Sequence, residues 1–190
     1  IMAAIEHKPT NRVPTDIWMT PEIAKKLSDY FGGMESALKQ LHIDSIVWVN
    51  PWEGTEVKKL ANNEYQDFWQ IRTKEVQNES GTYLEQTYYP LAHCKTIADL
   101  DNYEWPQTSW FDYDKIAEEV ARKRTDRVVN CGYMSPFYMH NQLRGLELSL
   151  MDFYENPEFT QYLLGRIGRF LLEHHRRIFE RCKGKVDVAQ

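Results

Sequence analysis

The chain has no run that approaches the roughly 20 consecutive apolar residues of a membrane-crossing helix, which excludes a helical span. Signal-like apolar sequence is also missing near residue 1. Cysteine is sparse: Cys94, Cys131 and Cys182 are odd in number, widely spaced and never in a Cys-x-x-Cys pair. They read as reduced thiols of a cytoplasmic protein and not as a disulfide framework. Positive charge is in deficit, with 23 Lys and Arg against 28 Asp and Glu and a net charge of -5. That balance argues against a general electrostatic grip on nucleic acid. The glycine patterns Gly-x-Gly-x-x-Gly, P-loop and Gly-x-Ser-x-Gly do not occur. Zinc-type spacings are missing too, since no His-x-Cys or His-x-x-x-His is found. His93 and Cys94 are adjacent and are expected to point in opposite directions from an extended segment. His174 and His175 lie about 100 degrees apart on a helix. Internal repeats and low-complexity tracts are absent as well.

What is present is ordinary globular material, 42% apolar and 13% aromatic over 190 residues, enough for one domain with a substantial core. The stretch from Arg127 to Gln190 sets the architecture. Val128 and Val129 are β-branched and read as a strand. Beyond Ser135-Pro136 the apolar period changes to about 3.6, with Met139, Leu143, Leu146, Leu150 and Phe153 on one stripe over 137–154. After Asn156-Pro157-Glu158 a second helix shows Leu163, Ile167, Phe170, Leu171, His174 and Ile178 on one face. It stops near Gly184, and Lys185 to Ala189 resumes extended character. Strand, helical crossover and strand make the parallel unit of an α/β protein. Function is therefore expected at the C-terminal strand ends.

Earlier in the chain, Ile1 to His7 fits a short helix, Lys8 to Pro14 is turn-rich, and Asp16 to Met19 reads as a first short strand. Thr20-Pro21-Glu22 is a helix start, with a capping hydroxyl, proline at the first helical position and an acid in the first turn. Gly32-Gly33 ends that helix. A helix from Met34 to Leu41 leads to Ser45–Val49, whose apolar run suits a buried parallel strand. Residues 69–76 and 82–89 predict an antiparallel hairpin turning at Asn78 to Gly81, an insertion of about 65–90. Thr96 to Leu100 predicts a capped helical turn, and Asp114 to Lys123 a helix that delivers the chain to Val128. Both ends look bare, for Ile1 opens without a cap and the last strand lacks a covering helix.

The pairs Thr20-Pro21 and Ser135-Pro136 follow strands directly, and such helix N-termini welcome anions. They serve equally as plain caps. Met19, Thr20, Asn50, Glu53, Tyr133, Ser135, Tyr138, His140, Asn141 and Arg144 fall after strands and are the pocket candidates. Arg144 has a competing use pairing with Glu147 or Asp152. The basic run from His174 to Lys185 sits at a helix C-terminus, where cations offset the dipole.

Several ordered motifs resemble the uroporphyrinogen decarboxylase superfamily. These are Asn11-Arg12-Val13-Pro14, Tyr89-Pro90-Leu91, Thr96 to Pro106, Phe111-Asp112-Tyr113, Leu143 to Asp152 and Asn156-Pro157-Glu158-Phe159. The resemblance implies a (β/α)8 TIM-barrel type fold, here incomplete, of which residues 1–190 are the N-terminal portion with the hairpin inserted. A whole barrel of this kind needs about 250 residues. The superfamily holds decarboxylases of haem biosynthesis and corrinoid-linked methyltransferases, some dependent on zinc. The decarboxylases bind substrate carboxylates through a Met-Arg-Gln-Ala-Gly-Arg segment, where this chain has Met19-Thr20-Pro21-Glu22-Ile23-Ala24 without arginine. Their pyrrole-holding aspartate matches Asn50, which brings no negative charge.

The resemblance thus implies methyl transfer with a corrinoid (methylcobamide) or tetrapyrrole cofactor, in contact with a small-molecule or tetrapyrrole substrate and a corrinoid carrier protein. Zinc is implied only through residues beyond Gln190. A porphyrinogen-type decarboxylase is the alternative, and a barrel that binds a tetrapyrrole or carrier without catalysis is another. An open parallel sheet also predicts pairing, as a homodimer or with the other half of the barrel.

Overall fold

The valines that predict extended backbone form the centre of the molecule. In the computed structural model, which describes residues 1–190 apart from Ser80, Thr125, Asp126, Tyr133 and Gln190, β1 (Val47–Val49) pairs in parallel with β6 (Val129–Cys131). The register sets Val47 opposite Val129, Trp48 opposite Asn130 and Val49 opposite Cys131. Val188 joins by a parallel bridge to Asn130. The amide of Cys131 donates to the Val188 carbonyl and Val188 donates to Val129, while Val47 donates to Val128, so β6 lies between its neighbours. Of the predicted extended segment 185–189, Val188 thus lies parallel beside β6 through a single bridge.

Two helices cover one face of this arc. Asp112 caps α5 (Tyr113–Lys123) by accepting from Lys115, and Asn156-Pro157 opens α8 (Pro157–Cys182). Val49, Val129 and Cys131 pack with Ile116 and Val120 of α5 and Ile178 and Cys182 of α8. Alternate strand residues point to opposite faces, so Asn130 is directed away from the helices. The stripe predicted for α8 is buried in full, from Leu163 to Ile178. The arc is a mixed α/β arrangement, and among the described residues it does not close into a barrel.

The predicted hairpin is part of something larger. β4 (Arg72–Asn78) and β5 (Gly81–Tyr88) pair antiparallel as expected, and β2 (Lys58–Lys59) and β3 (Glu64–Gln66) extend them to a four-stranded sheet in the order β2-β3-β4-β5. Two and three residues are too short for a recognisable alternation, which is why composition does not announce them. Gln86 donates to the Gln142 carbonyl at 2.7 Å and ties this sheet to the helices. Trp69, Ile71, Leu91, Trp105, Phe111, Met139, Leu163 and Phe170 form the core between them. α4 (Ile97–Asp101) carries a capping box in which Thr96 and Asp99 satisfy each other's amides.

Two expectations need correction. Asp16 to Met19 joins no sheet among the described residues, and this stretch meets the segment before β1 through side-chain and single carbonyl contacts instead of a ladder. Asp16 accepts from Ile46 at 3.3 Å and Asp44 accepts from Thr15 at 2.9 Å, while the Thr15 carbonyl takes Asp44 and Ser45. The stripe over 137–154 is not one helix. It breaks at Gly145, with φ 85 and ψ 142, into α6 (Pro136–Arg144) and α7 (Leu146–Glu155). Met139 and Leu143 are buried, but the turn re-phases α7 so that Ser149 and Asp152 face inward and Leu146, Leu150 and Phe153 are exposed.

The remaining helices behave as their ends predict. α1 (Met2–Ile5) is one turn; α2 (Pro21–Phe31) is capped by Thr20 and stopped by Gly32 in the left-handed region at φ 72, where glycine has no steric penalty. α3 (Met34–Gln40) follows directly. No helix among the described residues is long and apolar enough to cross a membrane.

Candidate functional site

The chain leaves β1 at Asn50-Pro51-Trp52-Glu53-Gly54, and short polar contacts fix that loop. Asn50 accepts from the Trp52 amide at 3.1 Å, a side-chain turn typical of Asn, and donates to Glu53 at 3.0 Å. Glu53 also pairs with Lys115 of α5 at 2.8 Å. The hydrogen bond from Lys115, and then that from Asn50, holds the Glu53 carboxyl below its ordinary range. The predicted candidates Asn50 and Glu53 are therefore brought together, and they spend their polar atoms on the loop itself.

Behind this loop sits His174, fully buried on α8. Its Nε2 lies 2.9 Å from the Pro51 carbonyl and its Nδ1 lies 3.0 Å from the Tyr113 hydroxyl. A carbonyl only accepts, so Nε2 carries the proton and Tyr113 donates to Nδ1. The ring stacks on Trp52 with centroids 4.6 Å apart and 9° between planes. Burial, the largest influence, lowers its pKa to about 4, with the nearby His175 adding to it.

That depression makes a pH prediction. A histidine at about 4 when folded and near 6.5 when unfolded contributes stability that is complete above pH 6.5 and lost as pH falls toward 4, worth about 3 kcal/mol. Asp67 acts in the opposite sense, because burial raises its carboxyl to about 6 and the folded state then keeps a proton that the unfolded state releases. Urea unfolding at pH 7 and pH 4.5, for the protein and for His174→Gln, isolates the histidine. The native protein is expected to lose more stability on acidification than the variant; equal losses would contradict a buried neutral His174.

Next to the loop opens a cavity of about 410 Å³, the size of a small-molecule site. Gly54, Thr55 and Glu56 come from the loop after β1, Lys58 from β2, Gln66 from the end of β3, Asp67, Phe68 and Gln70 from the turn that follows, and Glu104 and Trp110 from the connector to α5. The cavity thus stands at the C-terminal side of the parallel strands, because α5 begins at Tyr113 just beyond Trp110. Asp67 accepts from the Ile71 amide at 3.0 Å and also borders a second, more apolar cavity of about 380 Å³ with Val57, Ile71 and Leu84. Phe68 packs against Trp52 and Phe111, with ring centroids 5.2 and 5.1 Å away.

The other candidates lie elsewhere. His140, Asn141 and Arg144 belong to a buried network between α6 and α7. Ser149 joins His140 Nδ1 to Asn141 Oδ1 by two short hydrogen bonds. Burial is the main reason the His140 pKa is lowered. Arg144 bonds Asp152 at 2.7 Å, which settles its pairing in favour of Asp152 over Glu147, and reaches the carbonyls of Leu91, Ala92 and Cys94. Thr20 and Ser135 act as caps, accepting from Ile23 at 3.5 Å and Tyr138 at 3.1 Å. Met19 is half-buried beside exposed Trp18, and the Tyr138 side chain is exposed. Tyr133 lies outside the described residues.

Sequence reading missed Asp67, Phe68, Glu104 and Trp110. One signal was available: Asp67-Phe68-Trp69-Gln70 places an acid ahead of two aromatics at a tight turn, where Gln70 has φ 60. The basic end of α8 is taken up by carboxylates, with Arg177 on Glu173 at 2.7 Å, Arg176 on Glu173 at 2.8 Å and Arg181 on Asp114.

The residues present do not fit zinc. Among the described residues no three His, Cys, Asp or Glu side chains group to hold a metal. All three cysteines are free and buried, and burial pushes the Cys131 thiol up to about 12. His93 Nε2 approaches Cys94 Sγ at 4.0 Å, closer than the expected opposed directions, but no third ligand joins them. No family model, curated protein or solved structure matches this chain.

Proposed function

We propose that this chain contributes to a (β/α)8 barrel of the uroporphyrinogen decarboxylase type that acts in methyl transfer. The observation that carries the reading is the parallel order of β1, β6 and residues 186–188, with a small-molecule cavity at their C-terminal side, together with the motif order from Asn11 to Phe159.

Methyl transfer is favoured over decarboxylation by the charged groups the chain carries and lacks. The segment from Met19 to Ala24 lacks the arginines that would hold substrate carboxylates, and Glu56, Asp67 and Glu104 around the cavity repel them. Asn50 is committed to Trp52 and Glu53. A cavity of about 410 Å³ takes a small molecule and not a corrin ring, so the corrinoid stays on its carrier protein. The methyl group on its cobalt is the chemistry it supplies. The chain's own residues hold the small partner of that reaction in the cavity beside Phe68 and Trp110.

Mixing the protein with methylcobalamin and a thiol tests the reading by absorbance. Loss of the methyl–cobalt band with formation of the S-methyl product is expected. Carbon dioxide release from a porphyrinogen, with the methyl–cobalt band unchanged, would overturn it.

A further inference from the structure

We infer that the strand-tip cavity binds a small organic cation of the alkylammonium class, held by carboxylates and aromatic walls. Three acidic side chains, Glu56, Asp67 and Glu104, line it against one base, Lys58. Nearby Lys115 is drawn off by Glu53. Phe68 and Trp110 complete the lining. Aromatic ring faces attract cations, most strongly where water is excluded, and this combination of rings and acids is how proteins recognise quaternary ammonium.

The chemistry also separates this ligand from its rivals. Anions are repelled by the surplus of carboxylates, whereas a neutral thiol, the other small partner of methyl transfer, is not. A metal ion needs converging donors, and no such group of three exists among the described residues. A diffuse organic cation requires no chelation, only a negative and polarizable wall. Asp67 is the group most affected, since burial disfavours its charged form and a bound cation would restore it. The other charged or titratable groups facing it are Glu56, Lys58 and Glu104 in this cavity, Tyr65 and Glu75 across the neighbouring one, and Tyr103, whose hydroxyl donates to the Trp69 carbonyl.

The inference names the class of small molecule for the cavity and rests on the methyl-transfer reading only for that cavity's use in catalysis. Equilibrium binding therefore succeeds or fails independently of turnover. Isothermal titration calorimetry with choline and with 3,3-dimethyl-1-butanol, its neutral isostere, is the test. Choline is expected to bind at least about tenfold more tightly than the alcohol, a difference of about 1.4 kcal/mol. Its binding weakens from pH 7.5 to pH 5, as Asp67 takes up its proton near 6. Asp67→Asn keeps an oxygen for the Ile71 amide and is expected to fold, losing both the affinity and its pH dependence. Should that variant melt abnormally by circular dichroism, Glu104→Gln on the rim is expected to weaken choline at least threefold. Equal binding of the two ligands, binding of neither, or unchanged choline affinity in a folded variant would overturn the inference.

Discussion

Replacing Arg144 with methionine is expected to destabilise the protein by about 3–5 kcal/mol, the usual cost of breaking a buried ion pair by removing one partner. Arg144 and Asp152 have side-chain exposures of only 6% and 5%. The guanidinium also accounts for the carbonyls of Leu91 and Cys94 and lies 4.9 Å over the Phe159 ring. Its loss leaves the buried Asp152 carboxylate without its cation and takes the guanidinium donor from the Cys94 carbonyl, and each of those is costly, while the Leu91 carbonyl keeps the Cys94 amide. For a chain of this size the change corresponds to a melting point lowered by roughly 10 °C. Arg144→Met with Asp152→Leu removes both charges and is expected to recover the part of the loss due to the stranded carboxylate, while the Cys94 carbonyl still lacks the Arg144 donor. Urea denaturation of the single and double variants decides it. A single-variant loss under about 1 kcal/mol would be that of a solvated surface pair and would contradict this network.

Gly54→Ala is the second large effect, and it acts on the cavity. Gly54 has φ +99, and an added Cβ would stand 2.6 Å from the Asp112 amide nitrogen and 2.8 Å from the Trp110 carbonyl. Both neighbours are backbone, so neither swings aside. The clash falls on the hydrogen bond from the Asp112 amide to the Glu53 carbonyl, 2.8 Å long, which joins the β1 loop to the start of α5. Backbone strain at a positive φ and overpacking together cost roughly 3 kcal/mol or more. Trp110 moves with its carbonyl, so choline affinity is expected to fall at least tenfold even at temperatures where the variant is folded. Calorimetry beside a thermal melt separates the two losses; a variant with native stability and native affinity would show that the loop and connector do not touch.

These effects indicate how much of the molecule could be read in advance. The α8 stripe from Leu163 to Ile178 was legible because a long helix repeats its period seven turns over, and one face had to be buried. Val128 and Val129 were legible as a buried parallel strand because covered strands are continuously apolar. Asp16 to Met19 was not, since extended backbone reads the same whether or not a neighbouring strand pairs with it, and here the contact to Ile46 runs through the Asp16 carboxylate. The break at Gly145 was hidden by leucines that continue the α6 period into α7, where exposed Leu146 and Leu150 look like core. The inward positions of α7 are polar, Ser149 and Asp152, and only their contacts with His140 and Arg144 explain them.

The site divides in the same way. Asn50 and Glu53 were found because they directly follow an apolar strand, and the loop does bring them together. His140, Asn141 and Arg144 also follow a strand, yet their polar atoms bind α7 and the chain near Leu91. Asp67, Glu104 and Trp110 converge on the cavity from segments up to 43 residues apart in number, and no local period links such positions.

The reading of this chain as part of a parallel barrel, with its function at the strand tips, depends on the register of β1 against β6. Interstrand nuclear Overhauser effects between backbone protons of residues 47–49 and 129–131 measure it directly in solution. The predicted pattern runs in the same sense along both strands, Val47 near Val129 and Val49 near Cys131. Contacts in the reverse order, Val47 with Cys131 and Val49 with Val129, would make the pair antiparallel and separate the strand tips that this account places together.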